Sequence, residues 1–273
     1  MEKDMNFLNM NYKEICEHIK TIENAKNARS DNEMKSLMNM LLNDNRKTVQ
    51  KLGSKMFKMF ENKEKEIHRV KKMYDFDRSY GNYKYLAGVD EVGRGPLAGP
   101  IVAAAVILDL NIKDDKDLIL RANDSKKLSI SVRSELSKII KEKALAYKII
   151  AIDNNQIDEK GIGWCNNQVF LDCCNEISIK PDIVLSDGYK IKNYVGLNEF
   201  AIKGDTKSIS IACASIIAKV YRDELMLQYN NEYPNYGFDK NVGYGTDQHV
   251  SAIKKYGAIP IHRKSFLKNI LEL

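Results

Sequence analysis

The chain is poor in the residues that staple, span or interrupt a fold. It has five cysteines, an odd number, and none forms a C-x-x-C pair. That excludes a disulfide framework and a zinc cluster, and it suits reduced thiols in a cytoplasmic protein. No uninterrupted apolar run reaches ~18 residues, so no membrane span is expected. The opening M-E-K-D-M-N is charged and lacks the apolar region of a signal peptide. Two nucleotide-binding loops are also absent. Around Gly88 to Arg94 no Lys-Ser or Lys-Thr follows the glycines. Gly93, Gly95 and Gly99 are spaced G-x-G-x-x-x-G with Pro96 inside, which matches neither the Walker pattern nor the dinucleotide fingerprint. No internal repeat or low-complexity tract occurs. Charge of either sign is not in great excess, but the formal net charge of +6 favours a polyanionic partner.

What the chain does have is concentrated between Tyr85 and Leu108, Y-L-A-G-V-D-E-V-G-R-G-P-L-A-G-P-I-V-A-A-A-V-I-L. Two apolar runs, Tyr85 to Val89 and Ile101 to Leu108, read as strands joined by a turn. Asp90 and Glu91 close the first run. Carboxylates at the end of a buried strand are costly unless they are paired or bind metal. Gly93-Arg94-Gly95-Pro96 follows, and glycines beside an arginine give a backbone that a ligand can approach closely. A metal site beside an anion-facing loop is one reading; an ordinary hairpin with solvated acids is the other.

Residues 1 to about 80 contain no proline, one glycine (Gly53) and nine of the ten methionines. Val49, Leu52, Met56, Met59 and Phe60 recur at helical spacing. Between Arg46 and Lys72 there are ten Lys or Arg against three Glu. The segment reads as a basic helical extension, either one that helps hold nucleic acid or one that is simply solvated.

Beyond the hairpin, Asn123-Asp124-Ser125-Lys126-Lys127-Leu128-Ser129 leads to a helix from about Ile130 to Ala146 with Ser129 as N-cap. Lys148 to Ile152 is a third strand. Gly163 to Ile177 is a helix with Trp164, Val169, Phe170 and Cys174 as core. Asp182 to Gly188 is a short strand ending in Asp187, and Glu199 to Lys203 is another, followed by Gly204-Asp205. Three strand ends thus carry acids, and ends of neighbouring strands can converge. Ser208 to Tyr229 is a long helix with Ile209, Ala212, Cys213, Ile216 and Val220 on one stripe. Asp223 continues that stripe and is either a further ligand or a structural partner. Tyr244, between Gly243 and Gly245, is poorly placed for core and well placed to stack on a sugar or base. Thr246 caps a helix to about Tyr256. His249 and His262 read as structural or surface residues.

These stretches, taken in order, resemble ribonuclease HII, the type 2 ribonuclease H of bacteria. The resemblance covers about residues 84 to 268. It rests on A-G-V-D-E-V-G-R-G-P-L-A-G-P, N-D-S-K-K-L-S, S-D-G, K-G-D, I-A-C-A-S-I-I-A-K-V-Y-R-D, Y-P-N-Y-G-F, G-Y-G-T and I-H-R-K-S-F. The basic extension also resembles one found in family members from Gram-positive bacteria. The resemblance implies an α/β fold with a ribonuclease H-like mixed central sheet flanked by helices, a helical C-terminal part and a helical N-terminal extension. It implies a division into an extension, 1–80, and a catalytic domain, 81–273. Asp90, Glu91, Asp187 and Asp205 would be the catalytic, metal-binding carboxylates. Gly93, Arg94 and Gly95 would read the ribonucleotide, Tyr244 would pack at the RNA-to-DNA junction, and Lys126 would sit near phosphate. The chain departs from the family where it has Asn241 and Val242 in place of a common His-Lys, so a basic contact is not carried over there.

The implied reaction is endonucleolytic hydrolysis of the RNA strand of RNA–DNA hybrids. It includes cutting on the 5′ side of ribonucleotides embedded in duplex DNA, as in ribonucleotide excision repair, leaving 3′-hydroxyl and 5′-phosphate ends. Two ions about 4 Å apart can activate a water and relieve charge on the leaving oxygen. Four acids without a His or Cys ligand set suit Mg²⁺ or Mn²⁺ and argue against zinc. Asp90 and Glu91 should face opposite sides of a regular strand, so both reach one site only if the strand ends or bulges there. The expected partner is hybrid or ribonucleotide-containing duplex, bound by a monomer in the cytoplasm. Two rivals stand beside this reading: a hybrid-binding protein without catalysis, and a metal phosphatase acting on small molecules. The intact acids oppose the first; the lysines and Tyr244 oppose the second.

Overall fold

Each apolar run expected to be a strand is one in the computed structural model, which describes residue 7, residues 10–24 and residues 31–271. The charged opening residues 1–6 lie outside the described residues. Two compact units divide the chain, residues 1–68 and 69–273. The division falls twelve residues before the expected boundary at 80.

The first unit is helical: α1 (Tyr12–Asn24), α2 (Asp31–Leu42) and the beginning of α3 (Lys47–Arg78). Ile15, Ile19, Leu37, Met38, Leu41 and Val49 form its buried core. A Cβ at Gly53 would lie 2.8 Å from Leu41 Cβ, so this glycine lets α2 and α3 cross closely. Arg46, the first residue of the basic run, is tied into this unit. It donates to Asp44 and to the carbonyls of Met10 and Phe7, and its hydrogen bonds hold the Asp44 pKa down at about 2.

The second unit has five strands: β1 (Leu86–Val92), β2 (Ile101–Ile107), β3 (Ala146–Ile152), β4 (Ile183–Asp187) and β5 (Leu197–Ala201). They form one mixed sheet in the order β3-β2-β1-β4-β5. The β1–β2 and β2–β3 pairs are antiparallel, and β1–β4 and β4–β5 are parallel. The helices are α4 (Ile130–Lys143), α5 (Asn154–Lys160), α6 (Ile162–Glu176), α7 (Ile209–Glu232), α8 (Phe238–Asn241), α9 (Asp247–Tyr256) and α10 (Lys264–Leu271). Ala87, Val89, Ala103 and Ala105 turn to the face covered by α6, where they pack with Cys165, Val169, Phe170 and Cys173. α7 lies on the opposite face. A Cβ at Gly88 would be 2.2 Å from the backbone of Ser210, so α7 rests almost directly on β1. The small residues Ala212 and Cys213, both fully buried, suit that closeness.

The last turns of α3 belong to the second unit. Val70, Met73 and Tyr74 are buried there. Asp77 is fully buried, and its Oδ2 accepts from the Ser210 amide at 2.9 Å, at the N-terminus of α7. A carboxylate there is favoured by the helix dipole. Burial still raises its pKa to about 6.

Several expectations need adjusting. Trp164 is 43% exposed, with Lys160 over its ring, and not core, because α6 buries the stripe through Cys165 and Val169 instead. Residues 144–146 leave the expected helix, and Ala146 already pairs with Ile107 in the sheet. β5 ends at Ala201, so Asp205 sits in a 3₁₀ turn, Gly204–Thr206, and not on a strand end. Lys203, just before that turn, has φ of 55°. Ser129 and Thr246 do cap their helices, accepting from Val132 and His249 amides. No helix among the described residues is long and apolar enough to cross a membrane.

Candidate active site

The parallel strands β1 and β4 carry acids near or at their carboxyl ends, Asp90 and Glu91 on β1 and Asp187 on β4, and these ends open on one cavity of about 160 Å³. Ligand sites in open α/β sheets form at such ends. Asp90, Glu91, Asp187 and Asp205 all line it. The expected strand end or bulge at Asp90 is not what brings the neighbouring acids together. β1 pairs with β2 without interruption as far as Val92↔Val102, while its ladder with β4 stops at Val89↔Ser186. From Asp90 onward one edge of β1 is therefore free. The two carboxylates leave opposite faces of a regular strand and meet the same cavity around that edge.

Each acid carries the mark of its crowding. Burial, and then the neighbouring Glu91, push Asp90 well above the usual carboxylate range. Glu91 is raised to about 7, by burial first, against the opposing pull of Arg94, whose Nη1 lies 3.7 Å from Glu91 Oε1. Burial also raises Asp187, partly offset by its Oδ1 accepting from the Gly204 amide at 2.6 Å. Asp205 is raised by burial and next by Asp187. Asp90 Oδ1 accepts from the Glu91 amide at 2.7 Å. Among the described residues no three acid, imidazole or thiol groups are already gathered around one point. The acids ring the space, several with an oxygen held by protein donors. The donor set is nonetheless all oxygen and rich in uncompensated negative charge, which fits a hard divalent cation and no soft one.

The remaining expected residues also line the cavity: Gly93, Arg94 and Gly95 on one side, Lys126 and Tyr244 on others. Lys126 sits in a 3₁₀ turn capped by Asp124. Tyr244 is 39% exposed. Gly93 and Gly95 differ in why they are glycine. Gly93 has φ of 95°, and a Cβ there would lie 2.5 Å from Arg222 Nε. A Cβ on Gly95 would meet only Tyr244, at 3.8 Å. Packing requires the first glycine; nothing inside the protein requires the second.

The sequence reading missed Asp124, Ser125 and Ser215, which line the cavity too. Ser125 and Ser215 share a 3.0 Å hydrogen bond. A serine beside the apolar stripe, in the mainly apolar first half of α7, was the available signal. Asp223, the other open candidate, is structural: it pairs with Lys219 at 2.7 Å and Arg133 at 3.3 Å. Its neighbour Arg222 is fully buried and makes no ion pair among the described residues. It donates to the carbonyls of Pro100, Val242 and Ala98. Arg263, equally buried, donates to Gly99, Arg94 and Gly93 carbonyls. Together they draw the loop carbonyls inward.

The family model for Ribonuclease HII matches residues 87–269, and that for the Ribonuclease HII N-terminal domain matches residues 14–81. A ribonuclease HII of Clostridium perfringens (strain 13 / Type A) is 58% identical over 271 residues, 98% of each chain. The crystal structure of ribonuclease H2 from Pyrococcus horikoshii OT3 superposes with a TM-score of 0.59 at 28% identity, over 69% of this chain and 97% of that one. Bst-RNase HIII in complex with Mn²⁺ shares the fold, with a TM-score of 0.52 at 18% identity, over 76% of this chain and 71% of that one.

Proposed function

The chain belongs to the ribonuclease HII family, endonucleases that degrade RNA in RNA–DNA hybrids, and on that premise we propose how its residues divide the work. Asp90, Glu91, Asp187 and Asp205 hold two Mg²⁺ or Mn²⁺ ions; the observation that carries this is their convergence on one cavity. The neighbour Bst-RNase HIII was solved with Mn²⁺, which supports the same class of ion here. When bound, divalent ions supply charge neutralisation and a more acidic attacking water. A divalent charge held by these acids would offset the mutual repulsion that adds to their raised pKa values.

The protein's own groups bind and orient the substrate. Arg222 and Arg263 take up the carbonyls of Gly93, Arg94, Ala98, Gly99 and Pro100, so the loop is fixed before substrate arrives. Gly95 leaves the space through which a ribose can approach that backbone, and a group sensing the 2′-hydroxyl is what separates RNA from DNA. Lys126 lies where it can meet phosphate, which positions the strand without reading its bases. Tyr244 faces across Gly95 and packs on the nucleotide at an RNA-to-DNA junction. The products are 3′-hydroxyl and 5′-phosphate ends, with cutting on the 5′ side of embedded ribonucleotides by a monomer. The exposed lysines of α3, Lys47, Lys51, Lys55 and Lys58, recur every three or four residues and give the extension one basic face for the duplex backbone.

The test is a duplex carrying a single ribonucleotide, incubated with and without Mg²⁺ or Mn²⁺. Metal-dependent cutting 5′ of the ribonucleotide, and none of the all-DNA duplex, is expected. Equal cutting of plain DNA overturns the 2′-hydroxyl reading. Loss of the folded circular-dichroism signal in Asp187→Asn would make that acid structural.

A further inference from the structure

His249 and His262 are 0% and 1% exposed, and each has both ring nitrogens engaged. The Ile259 amide donates to His262 Nδ1 at 2.9 Å, so that nitrogen carries no proton. A neutral His262 then bears its proton on Nε2, which faces His249 Nε2 at 3.1 Å. His249 Nε2 must accept, which leaves the His249 proton on Nδ1, 2.9 Å from the carbonyl oxygen of Tyr244. Only one arrangement of protons satisfies all three contacts: Ile259 N–H to His262, His262 to His249, His249 to Tyr244.

The Tyr244 peptide receives the end of this chain. Its carbonyl also accepts from the Thr246 amide at 2.8 Å, and its own amide donates to the Asn241 carbonyl at 2.8 Å. The peptide groups on both sides of Tyr244 are thereby held. The side chain between them is the aromatic ring opposite Gly95. Among the described residues, Tyr236 and Phe238 are the other rings that touch the histidine pair, and the Tyr236 hydroxyl is turned to the Gly257 carbonyl. Arg263, next along the chain, is committed to the loop carbonyls. Among the described residues no carboxylate acts on either histidine to favour its charged form. Burial lowers both histidine pKa values, His262 to about 4.

We propose that His249 and His262 are positioning residues for cleavage: a neutral two-histidine relay that fixes the Tyr244 peptide and thereby aims its ring at the substrate. The inference rests on the reading that Tyr244 contacts substrate. A relay of this kind acts through Tyr244 alone, whereas a merely structural pair would weaken every variant alike.

A double-mutant cycle distinguishes these. Single-turnover cleavage of a single-ribonucleotide duplex and melting temperature are measured for wild type, Tyr244→Ala, His262→Phe and the double variant. The same cycle is run with His262→Gln, which keeps a donor and an acceptor at the ring position. Tyr244→Ala is expected to lower cleavage about 10- to 100-fold, as for loss of one stacked base. His262→Phe is expected to lower it roughly tenfold in wild type and not at all in the Tyr244→Ala background, with His262→Gln partly restored. Equal fold-losses from His262→Phe in both backgrounds, or unchanged cleavage in His262→Phe, overturn the relay while leaving Tyr244 in its role. Full activity of Tyr244→Ala overturns the substrate role itself, and the relay with it.

Discussion

Two groups of buried charge share the loop Gly93–Pro100, and they are handled in opposite ways. On the cavity side four carboxylates come together, raised in pKa by burial and by one another, with Arg94 at 3.7 Å from Glu91 as the one ion pair to any of them among the described residues. On the other side Arg222 and Arg263 are 0% exposed without an ion pair among the described residues, yet each donates three hydrogen bonds to backbone carbonyls. Buried charge is tolerated when hydrogen bonds replace its hydration. The arginines are satisfied from within and so act as scaffold. The acids accept a few hydrogen bonds, from the Glu91 and Gly204 amides among them, but keep a like charge that a bound cation would offset.

The sharpest way to test this contrast is to neutralise one member of each group. Asp90→Asn or Asp187→Asn is expected to lower metal-dependent cleavage by roughly a hundredfold or more, while the melting temperature stays level or rises, because a like-charge contact is relieved. Arg263→Met is expected to act first on stability. Its melting temperature should fall, with about 1–3 kcal/mol lost for each loop carbonyl left buried without its donor. An acid variant that melts early with cleavage intact would erase the distinction.

The glycines give a smaller version of the same comparison. Gly93→Ala meets both a positive φ and Arg222, and should cost about 1–3 kcal/mol of stability. Gly95→Ala meets almost nothing in the protein, so its melting temperature should hold while cleavage of ribonucleotide substrates falls. Thermal melts and single-turnover assays on both variants read the difference directly.

A pH series probes the histidine pair beside the scaffold. His262 has a pKa of about 4 in the fold against about 6.5 when unfolded. The unfolded chain therefore binds more protons between these values. The contribution of His262 to stability is complete above about pH 6.5 and is lost progressively as pH falls through about 4. Melting temperature should fall less steeply with acid in His262→Phe than in wild type, a difference from which the opposite contributions of Asp77 and Glu91 in the same window cancel.

The smallest effect is expected from the N-terminal unit. Removing residues 1–68 should leave cleavage intact at low salt and make binding less salt-dependent, by ~0.9 in the logarithmic slope for each phosphate that the shortened chain no longer neutralises. Removing residues 1–78 also takes away Tyr74 and Asp77, both buried within the second unit, and should unfold it. Binding isotherms at several salt concentrations, with circular dichroism on both truncations, separate the two cuts.

Much of the fold was legible because it is written locally. Val and Ile runs bounded by glycine marked β1, β2 and β4, and 3.6-residue periodicity marked α7 together with the stripe it buries. Ser129 and Thr246 announced their helix starts because a capping hydroxyl acts within three residues. The short α5 carried no comparable apolar stripe and went unread, and Trp164 was misjudged because its size suggested core where its position on the helix did not. Composition marks the extension as far as about residue 80, while the two compact units divide at residue 68, within α3.

The sequence alone determined which acids were available, that they sit beside a glycine loop, and that the chain alternates strand and helix around a mixed sheet. Tertiary structure alone decided which of those acids meet. Asp223, open in the sequence to either a ligand or a structural role, is claimed by Lys219 and Arg133. Asp90 and Glu91 share a cavity because one ladder stops at Val89 while the other runs on to Val92, a difference between neighbouring strands that no single strand's pattern contains. The loop is held by Arg263 from 169 and 170 residues away. Periodicity reports that a face is buried. What it is buried against, and whether a charge there finds its partner inside the molecule or must take one from outside, is settled only when distant segments pack.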